Sequence, residues 1–304
     1  MRRVLTAVVL IPLVLLLVFR APLWLFALAV TAIIVLALHE YLNIVRAYDI
    51  KPVRWPAYVF SVTIVVGLAF LSTGLIYMGF PWGWSIIFSP AIVFLLPVIF
   101  GLPVVFRKQT RMALPAAAAS AFGLLYIALP LGLLIPMRHG PGNHYLIVLI
   151  LFSVWAGDIA AFYVGRSLGR HQLAAVVSPK KSWEGAIASV IAGIGVAALV
   201  FRFHAEINSL FTERHEEPIS FQGTLSWSSA LLLGLLTNVA AQCGDLFESA
   251  LKRGANIKDS GTLLPGHGGI LDRIDALLFA IPVVWYYATF SGLVQHYGFY
   301  HLVK

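Results

Sequence analysis

The sequence predicts an all-α, polytopic integral membrane protein of about nine transmembrane helices, and three observations carry that prediction. Of 304 residues, 60% are hydrophobic and only 11% are charged, where a soluble domain has roughly a quarter of its residues charged. The mean hydropathy is +0.89. Apolar runs of about 20 residues, the length that crosses a bilayer, follow one another along nearly the whole chain. Twenty-one Lys and Arg with 13 Asp and Glu cannot coat a globule of 33.2 kDa. Soluble, disordered and nucleic-acid-binding classes are thereby excluded. The lone cysteine, Cys243, allows no intrachain disulfide and no cysteine metal cluster.

Taken in order, the spans fall near residues 4–19, 22–39, 57–79, 83–106, 114–136, 144–165, 184–202, 225–250 and 274–295. Arg2 and Arg3 before an apolar stretch imitate a signal peptide, but no small-residue cleavage site follows, so this stretch is read as a span. Only Arg20, Ala21 and Pro22 separate the first two spans, which predicts a tight helical hairpin. In a nine-span arrangement sixteen of the 21 Lys and Arg fall on one side. The positive-inside rule then sets the N-terminus in the cytoplasm and the C-terminus outside. Glu206, Glu213, Glu216 and Glu217 fall in the outer loop between the seventh and eighth spans.

Composition divides the chain. Residues 1–150 read as transmembrane scaffold helices with few polar groups, and residues 151–304 as a catalytic transmembrane region. In the second half Asp158, Glu184, Asp245 and Glu248 lie inside or at the edge of apolar helices, where a charge costs at least ~3 kcal/mol unless solvated or paired. Asp245, Glu248, Ser249 and Lys252 recur at helical spacing, so one stripe presents two carboxylates, a hydroxyl and an ammonium. Beyond them come Lys258, Asp259 and the glycine-rich run with His267, Gly268 and Gly269, then Asp272, Arg273 and Asp275 at the start of the last span.

Glycines before a helix start let backbone N–H groups converge on an anion. Aspartates there offer the hard oxygen ligands that magnesium requires, and no His/Cys set has zinc spacing. The loop after the sixth span repeats the theme with Arg166, Arg170 and the run SPKKSWEG, in which Ser178 is expected to cap the seventh span and Pro179 to open it. Lys180 and Lys181 would then stand at that helix start. Membrane anchoring and phosphate binding both explain them.

The stretch SALKRGANIKDSGTLLPGHGGILDRID, residues 249–275, resembles the signature of the phosphatidate cytidylyltransferases, or CDP-diacylglycerol synthases. DIAAFYVGRSLGR and SPKKSWEG upstream are similar to that family's second conserved region. The resemblance covers about residues 155–275, and the first half agrees only as a set of hydrophobic spans. It implies a nucleotidyltransferase of phospholipid biosynthesis in a bacterial inner membrane, moving CMP from CTP to phosphatidate and releasing pyrophosphate, with Mg2+ and its site on the cytoplasmic side. A second cation such as K+, and a homodimer, stay open.

Within that resemblance, position assigns roles. Asp245, Asp272, Lys252 and Lys258 are the expected catalytic set, with Asp245, Asp272 and Asp275 as metal carboxylates. Lys180, Lys181, Ser249, Arg253, His267, Gly268, Gly269, Arg273 and Asp158 are the expected substrate-binding set. An ion-coupled transporter also uses intramembrane acids, but near the midplane, whereas these groups gather at one face. Another membrane phosphotransferase acting on a lipid phosphate is the remaining rival. Its motifs are usually rich in aspartate, and no adjacent Asp pair occurs here.

Overall fold

The computed structural model describes residues 12–74, 90–106, 110–139, 144–204, 206–207, 226–263 and 268–296. The start of the first expected span, the Glu213 to Glu217 loop, His267 and the C-terminus lie outside them. Ten helices are named here: α1 (Leu23–Ala47), α2 (Arg54–Gly74), α3 (Pro90–Val105), α4 (Ala113–Gly123), α5 (Leu129–Gly132), α6 (Leu134–His139), α7 (His144–Leu168), α8 (Trp183–Arg202), α9 (Trp227–Gly254) and α10 (Leu271–His296). Among the described residues, five continuous helical stretches are long and apolar enough to cross a bilayer: Leu23–Ala47, Ala113–Arg138, Tyr145–Leu168, Trp183–Arg202 and Trp227–Gly254. Large apolar side chains such as Leu28, Leu125, Ile159, Ile191 and Leu232 are exposed along them, which suits lipid and not water. The molecule is an all-α integral membrane protein.

By internal contacts the chain forms two units, residues 1–139 with 248–274 and residues 140–247 with 275–304. The first packs α1 on α2, α4 and the turns that follow α4. Its core is Ile34, Leu38, Leu42, Leu68, Leu124, Ile127 and Leu133, all essentially inaccessible. Gly123 lies so close to Tyr41 that a Cβ there would stand 2.8 Å from the ring. The Tyr41 hydroxyl donates to the Ala119 carbonyl at 2.9 Å, tying α1 to α4. Residues 124–128 widen into a π turn, where the Leu129 N–H reaches the Leu124 carbonyl. Pro130 follows and has no N–H for the α-helical ladder, which accounts for the irregularity. At the hairpin predicted around residue 21, the Arg138 guanidinium donates to the carbonyls of Val18 and Ala21 and lies 5.0 Å from the Phe26 ring. Helix ends leave such carbonyls unpartnered, and a cation is their natural cap.

The second unit is built on close packing of α7 against α8, with α9 alongside. Small residues allow it. A Cβ at Gly185 would stand 2.9 Å from the Ala161 carbonyl oxygen, and one at Gly234 2.5 Å from the Ala197 Cβ. Polar side chains stitch the seam: Asn238 Nδ2 donates to the Ser153 carbonyl at 3.4 Å, and Gln242 Nε2 to Asn238 Oδ1 at 2.8 Å.

Two local expectations are corrected. Ser178 does not cap the seventh span; residues Gln172–Ala174 (β1) and Ser178–Ser182 (β2) form an antiparallel hairpin, and Ser182 is the cap, accepting from the Gly185 N–H at 3.2 Å. Extended backbone suits residues before a cap, and Pro179 fits an edge strand as well as a first helical turn. The second span also runs on to Ala47, which brings Glu40, expected in a loop, inside a helix.

Candidate functional site

In the second unit the ends of α7, α8 and α9, with the hairpin, enclose a cavity of about 520 Å3. Its charged lining is Asp158, Arg166, Lys180, Lys181 and Asp245, and Phe162 and Leu173 supply apolar wall. The elements explain the placement. Gly165 and Gly185 let these ends of α7 and α8 approach, with a Cβ at Gly165 reaching 3.2 Å from Ser182 Oγ. The hairpin swings Lys180 and Lys181 out of the helix, so their charges avoid opposing its dipole. Glu184 Oε1 meets His171 Nδ1 at 2.7 Å and the Trp183 N–H donates to the His171 carbonyl at 2.9 Å, closing the hairpin onto the first turn of α8. Lys181 Nζ donates to Asp245 Oδ2, and both side chains are about one-third exposed at 29% and 34%. Gln242, one turn before Asp245, donates to the Ala186 carbonyl at 3.2 Å and holds this face of α9 to α8.

The first unit contains a second cluster around the signature segment. Helix α9 ends in a Schellman arrangement: the Ile257 N–H reaches the Lys252 carbonyl at 3.0 Å, the Asn256 N–H the Arg253 carbonyl at 3.0 Å, and Asn256 has φ of 56°. Tyr48 donates to the Leu251 carbonyl at 2.7 Å, and burial pushes this phenol above its ordinary pKa, keeping the proton it donates. Any Cβ at Gly254 would stand 2.1 Å from that hydroxyl, so the contact requires glycine.

Lys252 bridges two acids. Its ammonium forms an ion pair with Glu248, whose side chain is wholly buried, and donates to Asp272 Oδ1 at 2.5 Å. A buried carboxylate without such a partner costs about 3–5 kcal/mol, so the bridge is a condition of Glu248 being there. Asp272 also accepts from the backbone N–H groups of Ser260 at 3.0 Å and Gly269 at 2.8 Å. Gly268 carries φ of +79°, and a Cβ on it would lie 2.6 Å from Asp272 Oδ2.

The described N–H groups that follow this glycine-rich turn point at the protein's own carboxylates. Gly269 donates to Asp272, while Ile270 and Leu271 donate to Glu40 at 3.0 and 2.8 Å. Sequence reasoning missed Glu40, having ended the second span at residue 39 and left Glu40 in the loop that follows. The signal was present, since Glu40 is an acid inside an apolar helical run and falls under the same cost that singled out Asp158.

Of the remaining expected residues, Lys258 is exposed beyond the end of α9, and Arg253 Nη1 donates to the Ile257 carbonyl at 3.3 Å. Ser249 lies part-buried on α9, and Arg273 is exposed on the first turn of α10. Asp275 Oδ1 accepts from the Ala276 N–H at 2.8 Å, and its backbone runs against Gly244, where a Cβ would stand 2.5 Å from the Asp275 carbonyl oxygen. The structure therefore gathers Asp158, Lys180, Lys181 and Asp245 at one cavity, and Lys252, Asp272, Gly268 and Gly269 in one cluster.

Fold and site define a helical integral membrane protein with a cavity lined by both cations and carboxylates. The chain belongs to the cytidylyltransferase family, whose model matches residues 1–291. It is 38% identical over 167 residues to a phosphatidate cytidylyltransferase of Rickettsia bellii, covering 54% of this chain and 66% of the relative. It is 38% identical over 146 residues to one of Haemophilus influenzae, covering 48% and 46%. With one of Synechocystis sp. it shares 31% identity over 286 residues, covering 88% and 89%. The match thus spans two thirds or less of the first two relatives and nearly all of the third.

Proposed function

We propose that this protein transfers CMP from CTP to phosphatidate, forming CDP-diacylglycerol and pyrophosphate for phospholipid biosynthesis. The observation that carries the reading is the cavity, in which Arg166, Lys180 and Lys181 stand with two carboxylates beside an apolar wall. That lining suits a substrate that carries both phosphates and hydrocarbon. Family membership and the activity named for the relatives support it.

In the reaction a phosphatidate phosphate oxygen bonds to the α-phosphorus of CTP. The bond from that phosphorus to the oxygen bridging to the β-phosphate breaks, and pyrophosphate leaves with the electron pair. An attacking oxygen that is already anionic needs no strong base, so the protein's task is charge neutralisation and alignment. Arg166, Lys180 and Lys181 take phosphate oxygens in the cavity. Lys252, Arg253, Lys258 and Arg273 are assigned to phosphates from the signature segment, with Ser249, His267, Gly268 and Gly269 as supporting contacts. Asp158 orients the substrate's polar end.

The donor chemistry fits magnesium. Asp158 and Asp245 supply hard oxygen atoms in one cavity, and magnesium is commonly held by one or two carboxylates with phosphate oxygens and water completing six positions. Among the described residues no group of three His, Cys, Asp or Glu side chains forms a metal cage of its own. Asp245 is the carboxylate proposed to hold the ion, and Asp272 and Asp275 are proposed each to contribute to metal binding. When bound, the ion supplies positive charge to the phosphates. Lys181 holds Asp245 in position until then.

The same reading sets the site at the cytoplasmic face of a bacterial inner membrane, where CTP arrives from water and phosphatidate from the leaflet. Its test is purified protein with radiolabelled CTP and phosphatidate, with and without magnesium. Label enters lipid only when both metal and phosphatidate are present. An active preparation that leaves the lipid unlabelled sinks the reading.

A further inference from the structure

Glu40 lies in α1, far in sequence from every residue assigned to the reaction, and only 2% of it is exposed. Its carboxylate accepts three hydrogen bonds from the signature segment. Ser260 Oγ donates to Oε2 at 3.0 Å, the Leu271 N–H to Oε2 at 2.8 Å, and the Ile270 N–H to Oε1 at 3.0 Å. The last two are orphan donors at the start of α10, so a carboxylate from another helix serves as that helix's cap and faces the positive end of its dipole. Glycines close the cradle. A Cβ at Gly261 would stand 2.5 Å from Glu40 Oε1, and one at Gly269 2.4 Å from Oε2. Two glycines of the signature are thus shaped around this side chain.

We infer that Glu40 is a positioning residue for the proposed cytidylyl transfer: it ties Ser260 and Gly261 to Gly269, Ile270 and Leu271 and, through the Ser260 and Gly269 amides, fixes the carboxylate of Asp272. Asp272 receives the N–H groups of the same two residues that border Glu40, so a shift of the cap moves Asp272 and the adjoining Lys252 with it. Displacements of about 1 Å in an aligned site cost on the order of a hundredfold in rate. The inference rests on the functional reading above, but its structural half can be measured without turnover.

The variant is Glu40→Gln, which keeps the volume and turns an N–H donor toward the donors Glu40 now accepts from. Gly261→Ala is the second variant, pressing a methyl against the carboxylate while leaving its charge. Hydrogen exchange of the peptides covering 260–271 is followed in detergent, together with KM for CTP, KM for phosphatidate, kcat and the thermal midpoint. Both variants are expected to accelerate exchange in that segment, to lower kcat by on the order of tenfold or more, and to raise KM for CTP while leaving that for phosphatidate in place. A merely lower fraction of folded protein would change kcat and leave both KM values alone. Unchanged exchange overturns the capping role. Faster exchange with wild-type kcat and KM overturns the positioning role. If the wild-type protein itself transfers no label, the functional reading fails while the exchange comparison still decides the cap.

Discussion

Asp245 and Lys181 show how two residues, each ambiguous alone, acquire a shared role. An acid within an apolar helix is a lock or a ligand, and a lysine near a helix start is an anchor or a phosphate site. Lys181 is bonded to Asp245 at the wall of a cavity and both side chains remain about one-third exposed, so the pair is accessible to an incoming ion or phosphate. A buried lock would be closed to both. Asp245→Asn removes the carboxylate charge and keeps the shape. Turnover is expected to fall by on the order of a hundredfold or more, with unchanged gel-filtration behaviour in detergent. Wild-type turnover in that variant ends the metal assignment. Lys252 is the contrasting case, for its partner Glu248 is wholly buried and the bond between them is structural before it is anything else.

At the scale of elements, the helices were legible because hydropathy and length are properties of the local chain. The α7, α8 and α9 stretches begin and end within about four residues of the expected limits. The hairpin of β1 and β2 was not legible, since SPKKSWEG satisfies the rules for a capped helix start as well as for an edge strand. The outcome was decided by the bonds from His171 to Glu184 and Trp183, which give the preceding residues an extended partner. Glycine spacing in α8 carries a sharper message, as Gly193 lies against Asn238 with a would-be Cβ contact of 2.8 Å, while a Cβ at Gly195 would meet no other part of the protein within 4 Å. Gly193→Ala is expected to cost about 1–3 kcal/mol through overpacking, and Gly195→Ala to be neutral or slightly stabilising because it only removes a helix-interior glycine. Thermal unfolding of the two variants in detergent separates them. Equal midpoints would mean that the close helix seam does not depend on small residues.

Across the whole molecule, the distribution of charge bears on orientation. Sixteen of 21 cations fall on one side of a nine-span arrangement. The helix ends agree with an interface at each: Trp24 and Trp227 stand at the starts of α1 and α9, and Trp55 and Trp183 at the starts of α2 and α8, all exposed. Tryptophan favours both membrane–water boundaries. Reporter domains fused after Lys304 and inserted within 255–265 are therefore expected on opposite sides of the membrane. Reporters on the same side would refute the nine-span arrangement, since a change of one span reverses the C-terminus.

The sequence by itself determined the membrane class, most of the helices and the family, because these rest on apolar length, composition and a contiguous motif of 27 residues at 249–275. It also singled out Asp158 and Asp245, since a charge in an apolar run is costly wherever the run ends up, and Lys180 and Lys181 as paired cations of the loop run SPKKSWEG. Only the tertiary structure decided which charge meets which. Glu40 and Ile270 are 230 residues apart in the chain, and no local periodicity links them. A helix cap supplied by another helix exists only once both helices are packed, so the function of Glu40 and the need for Gly261 and Gly269 beside it belong to the fold.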